Sequence, residues 1–461
     1  MITASPSSST PVDHLRSLAE ALMARDAWRA DRMRAYQRER LRSLIRHAAT
    51  ASPYYGQVFG RRAAKGDVPL TELPTLPKAT LVEELDRIVI DPRLRRRDID
   101  AHLAGPDAAG SLLGAYRVVA TSGTTGERVV VVFTNEELDV WTASAIRMAA
   151  RVGVAPTTRL VAIGSPSPLH VTRVMFAAMQ AGRGGAPQLS VTTPLAEVVA
   201  ALNAYQPEAI LTYASIAAQL ADEQVDGALR IAPRIVISTS EVLGDDVRVR
   251  IRRAWGVEPA NAYAATEAPP IAGSSPRSAA MHVSDDLVVV EVVDEHNRPV
   301  PAGEAGYRVL LTNLVNRAQP LIRYEISDSL TMAPEGTDPA GLPYTRILRV
   351  DGRSDDILQM PARGGGACAV NPCRLRQPFV HFPEVRRYQV VHRAHELEVR
   401  VELAPLAPAD VTTRVRSALE DAIAAAGVGE FPVKVVVVDG ITRDNTNGAK
   451  LKTVMSMVPR S

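Results

Sequence analysis

The segment Thr121-Ser122-Gly123-Thr124-Thr125-Gly126-Glu127-Arg128 has the composition of a phosphate-binding loop. Its two glycines let backbone N–H groups approach an anion, and its four hydroxyl side chains can donate hydrogen bonds to phosphate oxygens. Arg128 adds a positive charge. The segment lacks the Gly-Lys-Ser/Thr ending of a Walker A loop. The alternative is a plain Gly/Thr hairpin turn, for which eight polar or glycine residues are excessive.

Two further short segments carry side chains suited to phosphate chemistry. Thr266 and Glu267 follow a strand-like stretch, and their oxygens could bind Mg²⁺ and phosphate, although a surface Thr-Glu pair is the simpler alternative. Only five of the 53 basic residues are lysines, and Lys450 and Lys452 lie two positions apart near the C-terminus. A chain that uses arginine almost everywhere else indicates a specific use for these lysines.

The elements around the loop alternate between strand and helix patterns, which predicts an α/β fold with a mainly parallel sheet and helices on both faces. Thr134-Asn135-Glu136-Glu137 has the pattern of a capping box that opens a helix towards Arg151, and Thr193-Pro194 that of an N-cap with proline at the first helical position. A helix is also predicted over Asp245–Trp255. The predicted strands are Tyr116–Ala120, Val129–Thr134, Leu160–Gly164, Ala209–Tyr213 and Ile235–Thr239.

The pattern becomes richer in β-strands from Leu287 onwards and restarts after the charged turn 350–356. Two strands, a helix over Pro408–Ala425 and a further strand suffice for a small α+β unit at the C-terminus. We therefore predict a large region at residues 1–354, which has several α/β subdomains, and a small mobile domain at residues 355–461.

Composition excludes several classes of protein. A formal net charge of +2 gives no electrostatic basis for a nucleic-acid or anionic membrane partner. Two cysteines cannot build a disulfide framework and lack zinc-ligand spacing, which fits a reducing cytoplasm. The sequence contains no stretch of about 18 apolar residues, so we predict no membrane-spanning helix. Residues 1–10 do not resemble a signal peptide.

Ala120-Thr121-Ser122-Gly123-Thr124-Thr125-Gly126 resembles the phosphate loop of the adenylate-forming superfamily, the acyl-CoA synthetases and adenylation domains. Tyr263-Ala264-Ala265-Thr266-Glu267 is similar to that family's Tyr-Gly-x-Thr-Glu motif. The resemblance implies that the loop binds the β- and γ-phosphates of ATP. It implies that Tyr263 lies against adenine, Thr266 near the α-phosphate and Glu267 on Mg²⁺. Ala264 replaces a glycine beside the acyl pocket, and its methyl group is expected to narrow that pocket.

Three later motifs continue the resemblance in the same order. Leu321–Asp328 resembles the family motif Arg-Tyr-x-Thr-Gly-Asp, which implies that Asp328 accepts hydrogen bonds from the two ribose hydroxyls of ATP. Ser327 stands in place of the glycine of this motif. Residues 351–356 resemble the hinge motif, which implies that Arg353 contacts the ribose and Asp355 is the pivot of the small domain. Asn447–Lys452 resembles the segment of the catalytic lysine. Lys450 is the better match, and Lys452 is the alternative.

Other segments resemble the phenylacetate–CoA ligase branch of this superfamily, so that the similarity runs from about residue 40 to the end. They are His47–Tyr55, Leu73–Lys78, Tyr213-Ala214-Ser215, Ser240-Glu241, Met281–Asp286 and Gly303–Gly306. Some members of this branch carry a cysteine-rich zinc site after the Thr-Glu motif. This chain has no cysteine there, so we predict no zinc and a structural role for His282.

The resemblance implies an enzyme that activates a small or aromatic acid with Mg·ATP as an acyl-adenylate, releases pyrophosphate and then transfers the acyl group to coenzyme A. An amine or carrier-protein acceptor remains an alternative, as does a nucleotide-binding relative without ligase activity, and a homodimer is left open. A kinase-like phosphotransferase is the least favoured reading. The residues expected around the acid are Ser165, His170, Tyr213, Ala262, Ala264, Ala265 and Pro269.

Overall fold

The computed structural model describes residues 11–63, 65, 68–120, 129–180, 186–336, 338–443 and 449–458. The predicted phosphate loop, Thr121–Arg128, therefore lies outside the described residues, as do Asn447 and Gly448 of the lysine segment. No helix in the described ranges is long and apolar enough to cross a membrane.

Most helices of the described chain precede residue 260, and only the last two belong to the C-terminal part. They are α1 (Pro11–Met23), α2 (Ala30–Ala51), α3 (Pro53–Ala63), α4 (Lys78–Glu83), α5 (Leu85–Ile88), α6 (Arg96–Ala104), α7 (Asn135–Arg151), α8 (Val171–Gln180), α9 (Leu195–Tyr205), α10 (Ala214–Val225), α11 (Asp245–Trp255), α12 (Pro372–Arg376) and α13 (Val411–Ala425).

The strands alternate with helices only in the first half and follow one another closely after residue 260. They are β1 (Ser111–Leu112), β2 (Tyr116–Ala120), β3 (Val130–Thr134), β4 (Leu160–Gly164), β5 (Leu189–Ser190), β6 (Ala209–Tyr213), β7 (Ile235–Thr239), β8 (Ala260–Ala265), β9 (Ala268–Ser274), β10 (Met281–Val283), β11 (Val288–Val293), β12 (Arg308–Asn313), β13 (Tyr324–Ile326), β14 (Asp328–Met332), β15 (Arg346–Arg353), β16 (Leu358–Pro361), β17 (Ala367–Val370), β18 (Val385–His392), β19 (Leu397–Leu403), β20 (Val433–Val437) and β21 (Val454–Ser456).

The largest sheet has nine strands in the order β14-β15-β10-β9-β8-β7-β6-β4-β5. Its β5-to-β8 half is parallel, and from β8 onwards every neighbouring pair is antiparallel. The predicted α/β class is confirmed, and the mainly parallel character applies to the half that alternates with α8 to α11. Connections through helices produce parallel neighbours, whereas the short turns after β8 produce antiparallel ones.

Smaller sheets complete the large region. Strands β1, β2 and β3 form an antiparallel sheet in which Ala120 pairs with Val130, so the ends of β2 and β3 lie together on either side of segment 121–128. Strands β11, β12 and β13 form another. Helix α7 begins with the predicted capping box, in which Thr134 Oγ1 accepts from Glu137 N at 3.1 Å and Glu137 Oε2 accepts from Thr134 N at 2.8 Å.

The C-terminal part has a hydrophobic core of its own. Strands β20-β19-β18-β21 form a four-stranded sheet against α13, and every member of the associated hydrophobic cluster lies between Leu358 and Val454. The main cluster of the large region contains none of these residues among those described. A short 3₁₀ turn, Ser354–Asp356, connects the two parts. We keep the boundary between residues 354 and 355 as a proposal.

Candidate active site

A cavity of about 570 Å³ lies where the C-terminal end of β8, the β13–β14 turn, the end of β15 and the C-terminal segment meet. This central cleft is lined by His170, Ala262, Tyr263, Ala264, Ala265, Thr266, Glu267, Asp328, Arg353, Asp355 and Lys450 among the residues that sequence had singled out. Val129, the first residue after the predicted phosphate loop, lines it as well. Residues separated by more than 300 positions therefore share one cavity.

Glu267 lies at the tight turn between β8 and β9 and is 7% exposed. Asn313 fixes this turn, because its side-chain Nδ2 donates to the Glu267 carbonyl at 2.7 Å. Burial raises the pKa of the Glu267 carboxyl group, and the negative charge of Asp328 also raises it. A buried carboxylate in this position gains from a nearby cation.

The Glu267 carboxylate is of the chemical type that a magnesium ion accepts as a ligand. In the described part of the chain, no group of three or more His, Cys, Asp or Glu side chains could hold a metal. Mg²⁺ is commonly held by one or two carboxylates together with substrate phosphates and water. Glu267 would supply such a carboxylate.

Tyr263, Asp328 and Arg353 form one connected group. The Tyr263 hydroxyl donates to Asp328 Oδ2 at 2.7 Å, and Arg353 Nε lies 3.4 Å from Asp328 Oδ1. Strands β14 and β15 place Asp328 and Arg353 directly opposite each other in the ladder. Ser327 replaces the expected glycine, and its hydroxyl accepts from Arg353 Nε at 3.0 Å and NH2 at 2.7 Å. The replacement therefore helps to hold the arginine.

Lys450 extends into the cleft, whereas Lys452 does not line it. Burial lowers the pKa of Lys450, and the neighbouring Arg353 lowers it further. The carboxylates of Asp328, Glu241 and Glu267 oppose this shift. Lys452 instead lies with its Nζ 3.5 Å from Asp356 Oδ1, and its side chain is 36% exposed. Of the two lysines proposed from sequence, Lys450 is the one placed near the other site residues.

A second, apolar cavity of about 70 Å³ opens beside the cleft, between helices α7 and α8 and the face of the sheet. Ala262 and Ala264 line both cavities, and Pro269 lines the apolar one. Sequence reasoning missed its floor, which is formed by Met148, Met175, Phe176, Leu211 and Ile237. The sequence does not identify these residues as cavity-lining, because apolar residues of buried helices and strands look the same whether they face the core or a cavity.

Of the residues expected around the acid, Tyr213 and Ser165 line neither of these two cavities, and Ala265 and His170 line only the central cleft. Tyr213 is fully buried, its hydroxyl makes hydrogen bonds to Ser240 and Ser165, and burial raises its pKa. Ser165 lines a separate cavity of about 80 Å³ next to Phe176. Ala265 lines the central cleft and not the apolar cavity. We therefore place Tyr213 and Ser165 behind the site as supports.

His170 lines the cleft near Lys450, and burial together with this lysine lowers its pKa to about 4. The imidazole is thus neutral at physiological pH. His282, for which we predicted a structural role, is fully buried. Its Nε2 lies 2.9 Å from Asp338 Oδ2, and its Nδ1 lies 3.1 Å from Ser275 Oγ.

Residues 115–312 match the family of AMP-binding enzymes. The chain is 28% identical over 397 residues to the phenylacetate–coenzyme A ligase of Thermus thermophilus, with 81% of this chain and 82% of that protein covered. It is 27% identical over 391 residues to the enzyme of the same name from Escherichia coli, with 81% and 83% covered. The resemblance to the adenylate-forming superfamily and its phenylacetate–CoA ligase branch is thereby confirmed.

Solved structures share the fold of this chain over nearly its whole length. A crystal structure of 2-hydroxyisobutyryl-CoA ligase in the postadenylation state superposes with a TM-score of 0.75 at 19% identity, with 94% of this chain and 91% of that chain covered. A structure of the same ligase in the thioesterification state gives a TM-score of 0.60 at 20% identity, with 94% and 91% covered. The C-terminal unit is included in both matches.

Proposed function

We propose that this protein activates a carboxylic acid with ATP as an acyl-adenylate and then transfers the acyl group to coenzyme A. The observation that carries the proposal is the convergence of Lys450, Glu267, Asp328 and Arg353 on one cleft beside an apolar cavity. The names of the relatives, which are acid–coenzyme A ligases, support the same reaction. The two free cysteines, Cys368 and Cys373, support a reducing cytoplasmic location.

In the first half-reaction, the acid's carboxylate oxygen forms a bond to the α-phosphorus of ATP, and the bond from that phosphorus to the β-phosphate oxygen breaks. Pyrophosphate leaves. Lys450 stabilises the negative charge that develops between the carboxylate and the phosphoryl oxygens. Asp328 accepts hydrogen bonds from the ribose hydroxyls, and Arg353 holds Asp328 in place. Glu267 would hold Mg²⁺, which neutralises phosphate charge when bound.

In the second half-reaction, the thiol sulfur of coenzyme A attacks the acyl carbonyl carbon, the thiol proton is lost and the carbon–oxygen bond to AMP breaks. Lys450 occupies the cleft in the present arrangement. We propose that the C-terminal unit turns about Asp355, which withdraws Lys450 and admits the thiol. The predicted phosphate loop, Thr121–Arg128, would bind the β- and γ-phosphates during the first half-reaction.

The apolar cavity supports an acid whose tail is small and uncharged. No Asp, Glu, Lys or Arg lines it among the described residues. Its volume of about 70 Å³ is roughly half of the ~150 Å³ cavity that accommodates benzene in another protein. A short aliphatic tail therefore fits without rearrangement, whereas an aromatic ring requires side chains of the floor to move.

The deciding experiment is acid-dependent exchange of pyrophosphate into ATP over a panel of acids, followed by the consumption of free coenzyme A thiol with the best acid. We expect exchange with a small neutral acid and one thiol consumed per AMP formed. No exchange with any acid would leave only nucleotide binding. Exchange without thiol consumption would refute transfer to coenzyme A. The lack of a nucleic-acid partner remains a prediction from sequence.

A further inference from the structure

The two residues that flank Lys450 are both attached to the large region. Ala449 is 1% exposed and belongs to a hydrophobic cluster that includes Tyr213 and Ile216 of the large region. Its φ of 56° is in the left-handed region, which non-glycine residues seldom adopt. On the other side, the backbone N–H of Leu451 donates to Glu241 Oε1 at 2.8 Å. Lys450 is therefore held from both neighbours.

Glu241 also contacts the backbone of Ser215 and the side chain of Arg443. Glu241 Oε2 accepts from the backbone N–H of Ser215 at 2.9 Å, at the start of α10. Arg443 Nη1 lies 3.5 Å from Glu241 Oε1, and the side chains of Arg443 and Glu241 are only 11% and 9% exposed. One carboxylate thus joins the large region to the segment that carries Lys450.

Arg443 reinforces the same connection from the C-terminal side. Its NH2 donates to Ser215 Oγ at 2.8 Å, and its NH1 donates to the Ala449 carbonyl at 3.3 Å. Removal of one partner from a buried ion pair of this kind is strongly destabilising, because the other charge stays buried without a partner. Arg443 belongs to the unit proposed to rotate, so this pair can exist only while Lys450 is in the cleft.

The backbone before Glu241 is also unusual. Ser240 has a φ of 68°, and the N–H of Glu241 donates to the Thr239 carbonyl at 2.8 Å, which makes a tight turn at the end of β7. Non-glycine residues in this conformation are strained and persist where the surroundings demand them. The turn directs Glu241 out of the parallel half of the sheet towards the C-terminal unit.

We propose that Glu241 is a positioning residue that holds Lys450 in the cleft for acid activation and releases it before thioester formation. This inference rests on the proposed function, because it assigns separate arrangements to the two half-reactions. Glu241 lines the central cleft as well. Both of its carboxylate oxygens are engaged by the backbone of Leu451 and Ser215 and by Arg443, so we assign it to holding Lys450 and not to the reacting atoms. Removal of its carboxylate should therefore affect one half-reaction and spare the other.

The test compares Glu241→Ala and Glu241→Gln with the wild type in both half-reactions. Acid-dependent exchange of pyrophosphate into ATP should fall about 10- to 100-fold, the factor that loss of a charge-assisted hydrogen bond produces. Formation of thioester from supplied acyl-adenylate and coenzyme A should stay within about twofold. An equal loss in both half-reactions, or undiminished exchange, would overturn the proposal.

Asp226→Asn provides the matched control. Asp226 pairs with Arg386 across the same interface, but the side chains are 44% and 26% exposed. Exposed pairs contribute little, so exchange should stay within about twofold. A loss as large as that of Glu241→Ala would show that any contact between the two units matters equally, which would refute a specific role for Glu241.

A second measurement needs no catalytic activity. The chain has only five lysines, so modification by an amine reagent can be followed at each one by mass spectrometry. In ligand-free protein, Glu241→Ala should accelerate modification of Lys450 relative to the exposed Lys434. An unchanged ratio would overturn the proposal even if the wild type proved inactive. Absence of exchange in the wild type, with an accelerated ratio in the variant, would refute the proposed function alone.

Discussion

The cleft brings side chains of opposite charge together at short range. Asp328 and Arg353 are paired at 3.4 Å, while Lys450 and Glu267 share the same cavity without a direct ion pair between them among the described contacts. Burial disfavours the charged form of both Lys450 and Glu267, as the lowered and raised pKa values show. The site therefore gains most when a ligand supplies the missing counter-charges, as Mg·ATP would.

Replacement of Lys450 tests which lysine acts in adenylation. Lys450→Ala should lower acid-dependent exchange by about 10²- to 10³-fold, as expected when one stabilising donor is removed from a developing anion. Lys452→Ala is the control, since Lys452 pairs with Asp356 outside the cleft, and it should cost no more than a few-fold. The reverse order of effects would move the catalytic assignment to Lys452.

We expect Glu267 to determine how the rate of exchange depends on pH. Because burial raises its pKa, the carboxyl group takes up a proton at a higher pH than an ordinary glutamate does, and activity should fall as the pH drops through that value. A bound cation favours the ionised form, so the acid limb should move to lower pH as the magnesium concentration rises. A limb that is independent of magnesium would contradict the metal assignment. Rate profiles at limiting and saturating magnesium provide the measurement.

The strands and helices of the parallel half were predictable because their periodicity is strong and their boundaries carry signals. The bounds of β4, β6, β7, α7 and α11 agree with the predictions. The start of α9 was predicted wrongly: Pro194 is its N-cap and Leu195 its first residue. The Thr193 hydroxyl instead accepts from Ser190 N at 3.1 Å, a local turn that competes with the cap.

The site residues within motifs could be proposed for a different reason, namely that the order of the motifs along the chain matches a known family, and the structure brings them to one cleft. Tyr213, which we expected beside the acid, lies outside both cavities. It is both the last residue of β6 and the N-cap of α10, so the strand pattern does not show which way its side chain points. Met148 escaped because α7 is buried on several sides, so its pattern does not reveal which residues face a ligand. Tertiary packing decides both cases.

Met148 of helix α7 lines the apolar cavity, and we expect its side chain to limit the size of the acid. Met148→Ala should enlarge the floor and raise kcat/KM for phenylacetate relative to a short aliphatic acid by about tenfold, within the range that one or two methylene groups account for in a pocket. Met148 packs against Gly273 of β9, and a Cβ atom at residue 273 would lie 2.0 Å from the Met148 sulfur. Because residue 273 is glycine, it has no side chain to fill the space that the Met148→Ala substitution opens.

Met33→Ala is the matched control for this change of specificity. Met33 is 1% exposed in α2 and does not line the apolar cavity. The Met33→Ala substitution removes the same atoms from a buried site. It should lower the stability of the protein without altering the ratio of kcat/KM values for the two acids. A similar shift in both variants would argue against Met148 as a determinant of acid size.

At the scale of the whole molecule, the contact between the two parts contains several polar pairs beside the buried Ala449. It includes the ion pairs of Glu241 with Arg443 and of Asp226 with Arg386, and Arg250 of the large region donates to the Val385 and Arg386 carbonyls. Interfaces of this kind resemble transient ones between proteins and permit relative motion. The proposed rotation is consistent with such an interface.

A hinge variant tests the rotation. Asp355→Pro fixes φ within the 3₁₀ turn at Ser354–Asp356 and should lower thioester formation at least about tenfold, while adenylation falls much less. Asp355→Ala, which leaves the backbone free, should retain most of both half-reactions. Loss of thioester formation in the alanine variant would assign Asp355 a role other than that of a pivot.

The separate hydrophobic cluster between Leu358 and Val454 has a consequence for heating. Two cores joined by a polar contact need not melt together, so calorimetry of the ligand-free protein should show two overlapping endotherms. A non-hydrolysable acyl-adenylate analogue, touching residues of both parts, should raise the two melting temperatures and bring them closer. A single endotherm with equal calorimetric and van 't Hoff enthalpies would mean that the two cores melt as one cooperative body.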